Sequence, residues 1–65
     1  MKKAVPVEVH NKDGKLDRIE FYDMEGAHII DALWDEHDEQ TPINRIEFRK
    51  WANTMLERKG YTINQ

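Results

Sequence analysis

The sequence predicts an α+β domain of the form β-β-α-α: a β-hairpin followed by two antiparallel helices on one sheet face, with room for a short third strand at the C-terminus. Three features carry that expectation. Val5, Val7 and Val9 alternate with polar residues, apolar residues recur at helical spacing from Ala27 to His37, and start and stop signals bracket residues 42–59.

The valine alternation is the period of a half-buried strand, and Pro6, which has no N–H to give to a ladder, places that strand at an edge. Asn11-Lys-Asp-Gly14 is a turn, with Gly14 suited to a left-handed position. Pairing Asn11 with Lys15 and counting outward sets Val9 opposite Asp17, Glu8 opposite Arg18, Val7 opposite Ile19 and Val5 opposite Phe21. Apolar pairs then share one face and an ion pair the other, with Val9 against Asp17 as the weak point.

Asp23 reads as an N-cap for a first helix running from Met24 or Ala27 to Asp38. Ala27, Ile30, Leu33, Trp34 and His37 form the stripe that covers the hairpin. The second helix has two candidate starts. Thr41-Pro42 reads as N-cap and first helical residue, while Asn44 with Glu47 reads as a capping box stapled by Ile43 and Phe48. It ends near Lys59 with Gly60 as the stop and buries Phe48, Trp51, Ala52, Met55 and Leu56. Tyr61-Thr-Ile63 is suited to an extended segment beside the hairpin.

At 65 residues the chain is a single domain, 1–65, with a small core. It has no cysteine, so neither a disulfide framework nor a thiolate metal site is expected. No apolar run is long enough for a membrane span, and Ala4-Val-Pro-Val7 is too short for a signal peptide, so a cytoplasmic location is expected. The net charge of −3 disfavours non-specific nucleic-acid binding.

That charge is unevenly placed. Residues 31–39 hold five acids, Asp31, Asp35, Glu36, Asp38 and Glu39, with no Lys or Arg. At the C-terminal end of a helix these are the wrong charges for the dipole, and Asp31, Asp35 and Asp38 would repel one another along one face. Such a broken rule points either to compensation, with Arg45 or Arg49 reaching back, or to a docking patch for a basic partner surface. Ile43 and Ile46 fall opposite Phe48 and Met55 on the second helix and extend the same contact region.

Other chemistries find little support. Asp31, Asp35, His37 and Asp38 are metal-ligand types, but a row of carboxylates does not converge as a metal site requires. Asn11 to Glu20 echoes a calcium loop, yet its first position would be Val9 and its flanks are strands. There is no serine or cysteine nucleophile, and the threonines have no base with an orienting group nearby. No Gly-rich phosphate loop occurs, so enzymatic activity and a cofactor are not expected.

The reading that results is a small acidic protein-binding module, an inhibitor or adaptor of the kind common among phage accessory proteins. It would act through Asp31, Asp35, Glu36, Asp38 and Glu39 with Ile43 and Ile46, as a monomer or homodimer. No motif assigns it to a family. The alternative is a nucleic-acid-binding regulator using Arg45, Arg49 and Lys50 on the second helix.

Overall fold

A computed structural model describes residues 1–64, and its element order departs from the expected one. Strands β1 (Lys2–His10), β2 (Leu16–Asp23) and β3 (His28–Leu33) precede a single helix α1 (Pro42–Arg58) and a short strand β4 (Tyr61–Ile63). They form one mixed sheet in the order β3-β2-β1-β4, antiparallel except where β4 runs parallel to β1. The class is α+β, but the β-β-α-α architecture is wrong. The segment read as the first helix holds strand β3 and part of the loop after it, and among the described residues there is no pair of antiparallel helices.

The physical reason lies in residues 23–27. Asp23 is not a helix cap: its Oδ1 accepts from the N–H groups of Glu25 and Ala27, both at 2.9 Å. Gly26 sits at φ 87° and donates to the Asp23 carbonyl at 3.0 Å, while Asp23 N–H bonds Ala27 O at 2.8 Å. The turn after β1 is built identically. Asn11 Oδ1 takes the N–H groups of Asp13 and Lys15, and Gly14, at φ 80°, donates to Asn11 O. Each is a tight turn whose Asx side chain substitutes for backbone pairing and whose glycine occupies a region that disfavours side chains. The β-branched pair Ile29-Ile30 then favours the extended chain.

The hairpin register also differs from the expected one. Asn11 does pair with Lys15, and His10 lies opposite Leu16, but a bulge follows and Val9 faces Arg18. Asp17 is the extra residue. Because side chains alternate at period two, that single slip sends the whole β1 pattern to the other face. Pro6 now lies opposite Phe21 and Glu8 opposite Ile19, so Val5, Val7 and Val9 point away from the helix.

The core lies between α1 and the opposite face. Ala4, Ile19, Phe21, Ala32, Ala52 and Leu56 are buried, and Ile30, Phe48, Met55, Tyr61 and Ile63 pack against them. Phe21 and Leu56 are its largest fully enclosed side chains, and alanines from β1, β3 and α1 let the helix approach the sheet closely. Thr41 caps α1 through its Oγ1, 3.0 Å from Asn44 N, with Pro42 as the first helical residue. Thus the Thr41-Pro42 start is the one used. Lys59 is the C-cap, and Gly60 at φ 89° turns the chain into β4.

Glu8, on the helix side of β1, is held by the Arg49 guanidinium in a fork (Nε to Oε2 2.6 Å, Nη2 to Oε1 3.0 Å). That hydrogen-bonded pair keeps the Glu8 carboxyl below its ordinary range. A depressed carboxylate stabilises the fold at neutral pH and loses that contribution as the pH falls through its folded value. Glu8→Gln is therefore expected to cost under about 1 kcal/mol near neutrality, the group being partly exposed. Thermal melts should show the gap from the parent closing below about pH 4.

Candidate functional site

Of the five acidic residues that drew attention in the sequence, Asp35, Glu36, Asp38 and Glu39 lie in the loop between β3 and α1 and Asp31 on β3; none is on a helix. Their charge thus sits ahead of the positive end of α1 rather than at a negative end, and the electrostatic anomaly disappears. The loop has its own order. Asp35 Oδ1 accepts from His37 N–H at 3.0 Å, Asp38 N–H bonds Asp35 O at 2.9 Å, and the Trp34 indole donates to Asp38 O at 3.0 Å. Gln40 fastens the far end, its amide donating to Leu16 O at 2.6 Å and accepting from Leu16 N–H at 2.9 Å.

This anchoring opens a cleft of about 420 Å³ between the loop and α1, lined by Leu33, Trp34, Asp35, Asp38, Asn44, Glu47, Phe48 and Trp51. Its floor is aromatic. Trp34 meets Phe48 edge-on with centroids 4.9 Å apart, and Phe48 lies 5.9 Å from Trp51 in a tilted contact. Trp51 remains 51% exposed and Leu33 63% exposed, a large apolar surface to leave in water on so small a domain.

The rim is acidic. Among the described residues, no basic side chain lies within ion-pairing distance of Asp35, Glu36, Asp38 or Glu39, and Glu47 meets only Lys50, at 3.7 Å. Compensation by basic side chains reaching back takes a different form from the expected one. Arg45 donates to the Gln40 carbonyl, and Arg49 is engaged by Glu8.

The structure separates the residues proposed from sequence into groups. Asp35 and Asp38 border the aromatic cleft, while Glu36, Asp38 and Glu39 line a neighbouring depression beside Lys15 and Asp17. Asp31 is on β3, where its carboxylate meets the His28 ring at 2.7 Å. Ile43 and Ile46 are exposed (71% and 50%) but do not line the cleft. His37, expected on an apolar stripe, is exposed in the loop. Arg45 donates to the Gln40 carbonyl, Arg49 is held by Glu8, and exposed Lys50 lies 3.7 Å from Glu47.

Sequence reasoning missed Trp34, Phe48 and Trp51 as site residues because their spacing reads as buried stripe. The available signal was position: on a helical wheel Trp51 lies about a quarter turn from Ala52, on the flank rather than the base.

The exposed face of the sheet carries a second polar system. Glu20 accepts from the Tyr22 hydroxyl at 2.6 Å and from Arg18 Nε at 2.8 Å, and both bonds hold its carboxyl below the ordinary range. Among the described residues no three His, Cys, Asp or Glu side chains converge as metal ligands would. Among the described residues no helix is long and apolar enough to cross a membrane. No family model, curated protein or solved structure matches the chain.

Proposed function

We propose that this protein is a small binding module that takes a basic segment of a partner protein against the aromatic cleft between the β3–α1 loop and α1. The observation that carries this reading is the juxtaposition of exposed Trp51, over half-buried Trp34 and Phe48, with the carboxylates of Asp35 and Asp38, which have no basic side chain beside them among the described residues. A guanidinium or ammonium lying over a tryptophan face is attracted by the ring and, here, by the acids around it. The surrounding acids speed encounter with a basic surface, and the aromatic anchors supply most of the affinity. Binding by steric cover makes the protein an inhibitor or an adaptor according to what the occupied surface does.

The nucleic-acid alternative is the weaker one. Arg49 is engaged by Glu8, and the cleft bears carboxylates that repel phosphate.

Affinity capture from nuclease-treated and from untreated lysate tests the reading, with Trp51→Ala and Asp35→Asn/Asp38→Asn as controls. Asparagine keeps the Oδ1 acceptor that orders the loop, so neutralisation is expected to leave the melting temperature within a few degrees of the parent. Trp51→Ala should weaken capture by about tenfold or more. Recovery of nucleic acid alone, untouched by either change, would overturn the reading.

A further inference from the structure

We propose that the partner's basic segment joins the sheet as an added strand on the free edge of β3, with alternate side chains entering the aromatic cleft. The proposal rests on the cleft reading above and specifies how the segment is held.

β3 is an outer strand of the sheet, paired on one side with β2. Trp34 N–H bonds Asp17 O at 3.0 Å, which fixes the direction of the backbone groups along the strand. In an antiparallel pair these groups alternate, so the N–H and C=O of Ala32 point to β2 while those of Asp31 and Leu33 point to the open edge. Folded proteins usually guard such an edge with Lys, Pro, a bulge or extreme shortness. The opposite edge has such guards, since β4 spans three residues and pairs only with Lys2–Ala4, and beyond it β1 carries Pro6. β3 spans six, contains neither Lys nor Pro, and has its irregularity at the His28 end, leaving Ile30 to Leu33 in regular pairing.

The open edge also runs straight into the cleft through Leu33 and Trp34. A strand laid on β3 presents its side chains alternately to the two faces. One set reaches the aromatic floor and its acids, and the other lies beside Asp31 and Leu33. Charge identifies the occupant. Two copies of this chain paired antiparallel about Asp31 would set the two Asp31 side chains opposite each other. They would also bring the 35–39 loop of each copy beside Asp23 and Glu25 of the other. Like charges placed opposite each other destabilise a sheet, whereas an extended segment with Lys or Arg at alternate positions can set its cations toward Asp31 or toward Asp35 and Asp38.

The test begins with a displayed library of random twelve-residue peptides panned against the tagged full chain. The best basic peptide is then synthesised in unmodified form and with N-methyl groups on each of its two alternating sets of residues. Strand addition predicts that one N-methylated form loses at least tenfold in affinity and the other does not. It also predicts that the Asp31 and Leu33 amides become protected from hydrogen exchange on binding. If both N-methylated forms bind alike while Trp51→Ala still weakens binding, the cleft reading stands and strand addition is overturned. If no basic peptide is enriched, or if binding ignores both Trp51→Ala and Asp35→Asn/Asp38→Asn, the cleft reading fails and takes the strand with it. Protection of Asp31 and Leu33 without peptide, in a concentration-dependent dimer, overturns the proposal in favour of a second copy.

Discussion

Phe21→Ala is expected to leave the chain unfolded at room temperature. Phe21 is wholly enclosed at the centre of the sheet, facing α1, with Pro6 opposite it on β1 and Ile30 opposite it on β3. Removing a buried phenylalanine costs about 3–5 kcal/mol, the lost transfer energy plus the cavity left behind. A domain this short rarely holds more than about 3–5 kcal/mol in total, so the change consumes the whole margin. Among the described residues only one other large side chain, Leu56, is as fully enclosed, and the remaining buried core positions are chiefly alanines, which cannot move in to fill the space. Circular dichroism and amide NMR should show loss of the cooperative thermal transition. Phe21→Leu, which keeps most of the volume, should stay folded with a lowered melting temperature. A Phe21→Ala protein melting within a few degrees of the parent would mean that the core is organised around something else.

The sequence placed Phe21 on the apolar face of the hairpin, but not its strand partners. Counting outward from the Asn11-Lys15 pair gives Val5 opposite Phe21, and the structure gives Pro6. A bulge at Asp17 makes the difference, and nothing in the composition of Leu16-Asp17-Arg18 announces it. The position did carry a warning, because Val9 against Asp17 was the poorest pair in the straight register. A bulge relieves that mismatch at the expense of moving three valines to the exposed face.

The missed strand was more readable. Asn11-Lys-Asp-Gly14 and Asp23-Met-Glu-Gly26 share the pattern Asx-x-x-Gly, and both make the same side-chain bonds in the same turn. Reading the first as a turn and the second as a helix cap gave one chemical signal two meanings. The helical spacing of Ala27, Ile30, Leu33, Trp34 and His37 outweighed it, although a segment this short fits several periods. Helix α1 was readable because its signals were local and independent: Thr41-Pro42 at the start, Gly60 at the stop, and a basic residue in the last turn. Of the candidate site, the acids of residues 35–39 stood out by charge alone. The aromatic floor did not, since joining Trp34 to Phe48 and Trp51 depends on a loop path that only the assembled sheet determines.

That loop path rests on Gln40, and Gln40→Ala is expected to produce the second large effect. Its side-chain amide meets both backbone groups of Leu16, imitating a neighbouring strand where β2 begins. Leu16 is buried, so without Gln40 its N–H and C=O lose their partner in a place where water replaces it poorly. An unsatisfied buried group costs about 1–3 kcal/mol, which corresponds to a melting-temperature fall of roughly 4–8 °C per kcal/mol in a domain of this size. The same change releases the loop that carries Asp35 and Asp38, so partner binding should weaken even at temperatures where the protein remains folded. Gln40→Glu separates the hydrogen-bond role from simple packing. Its carboxylate can still accept from Leu16 N–H but has no proton to offer Leu16 O, and the two oxygens repel. Protonation restores the missing donor, so the folded state raises the pKa of the new carboxyl above its unfolded value. Stability supplied by such a group is present in acid and lost as the pH rises through the folded value. Gln40→Glu should therefore lie closest to the parent at low pH and fall away from it toward neutrality, because its own carboxyl stabilises the fold in acid whereas that of Glu8 does so near neutrality. A variant whose deficit is the same at every pH would show that Gln40 acts by filling space and not by standing in for a strand.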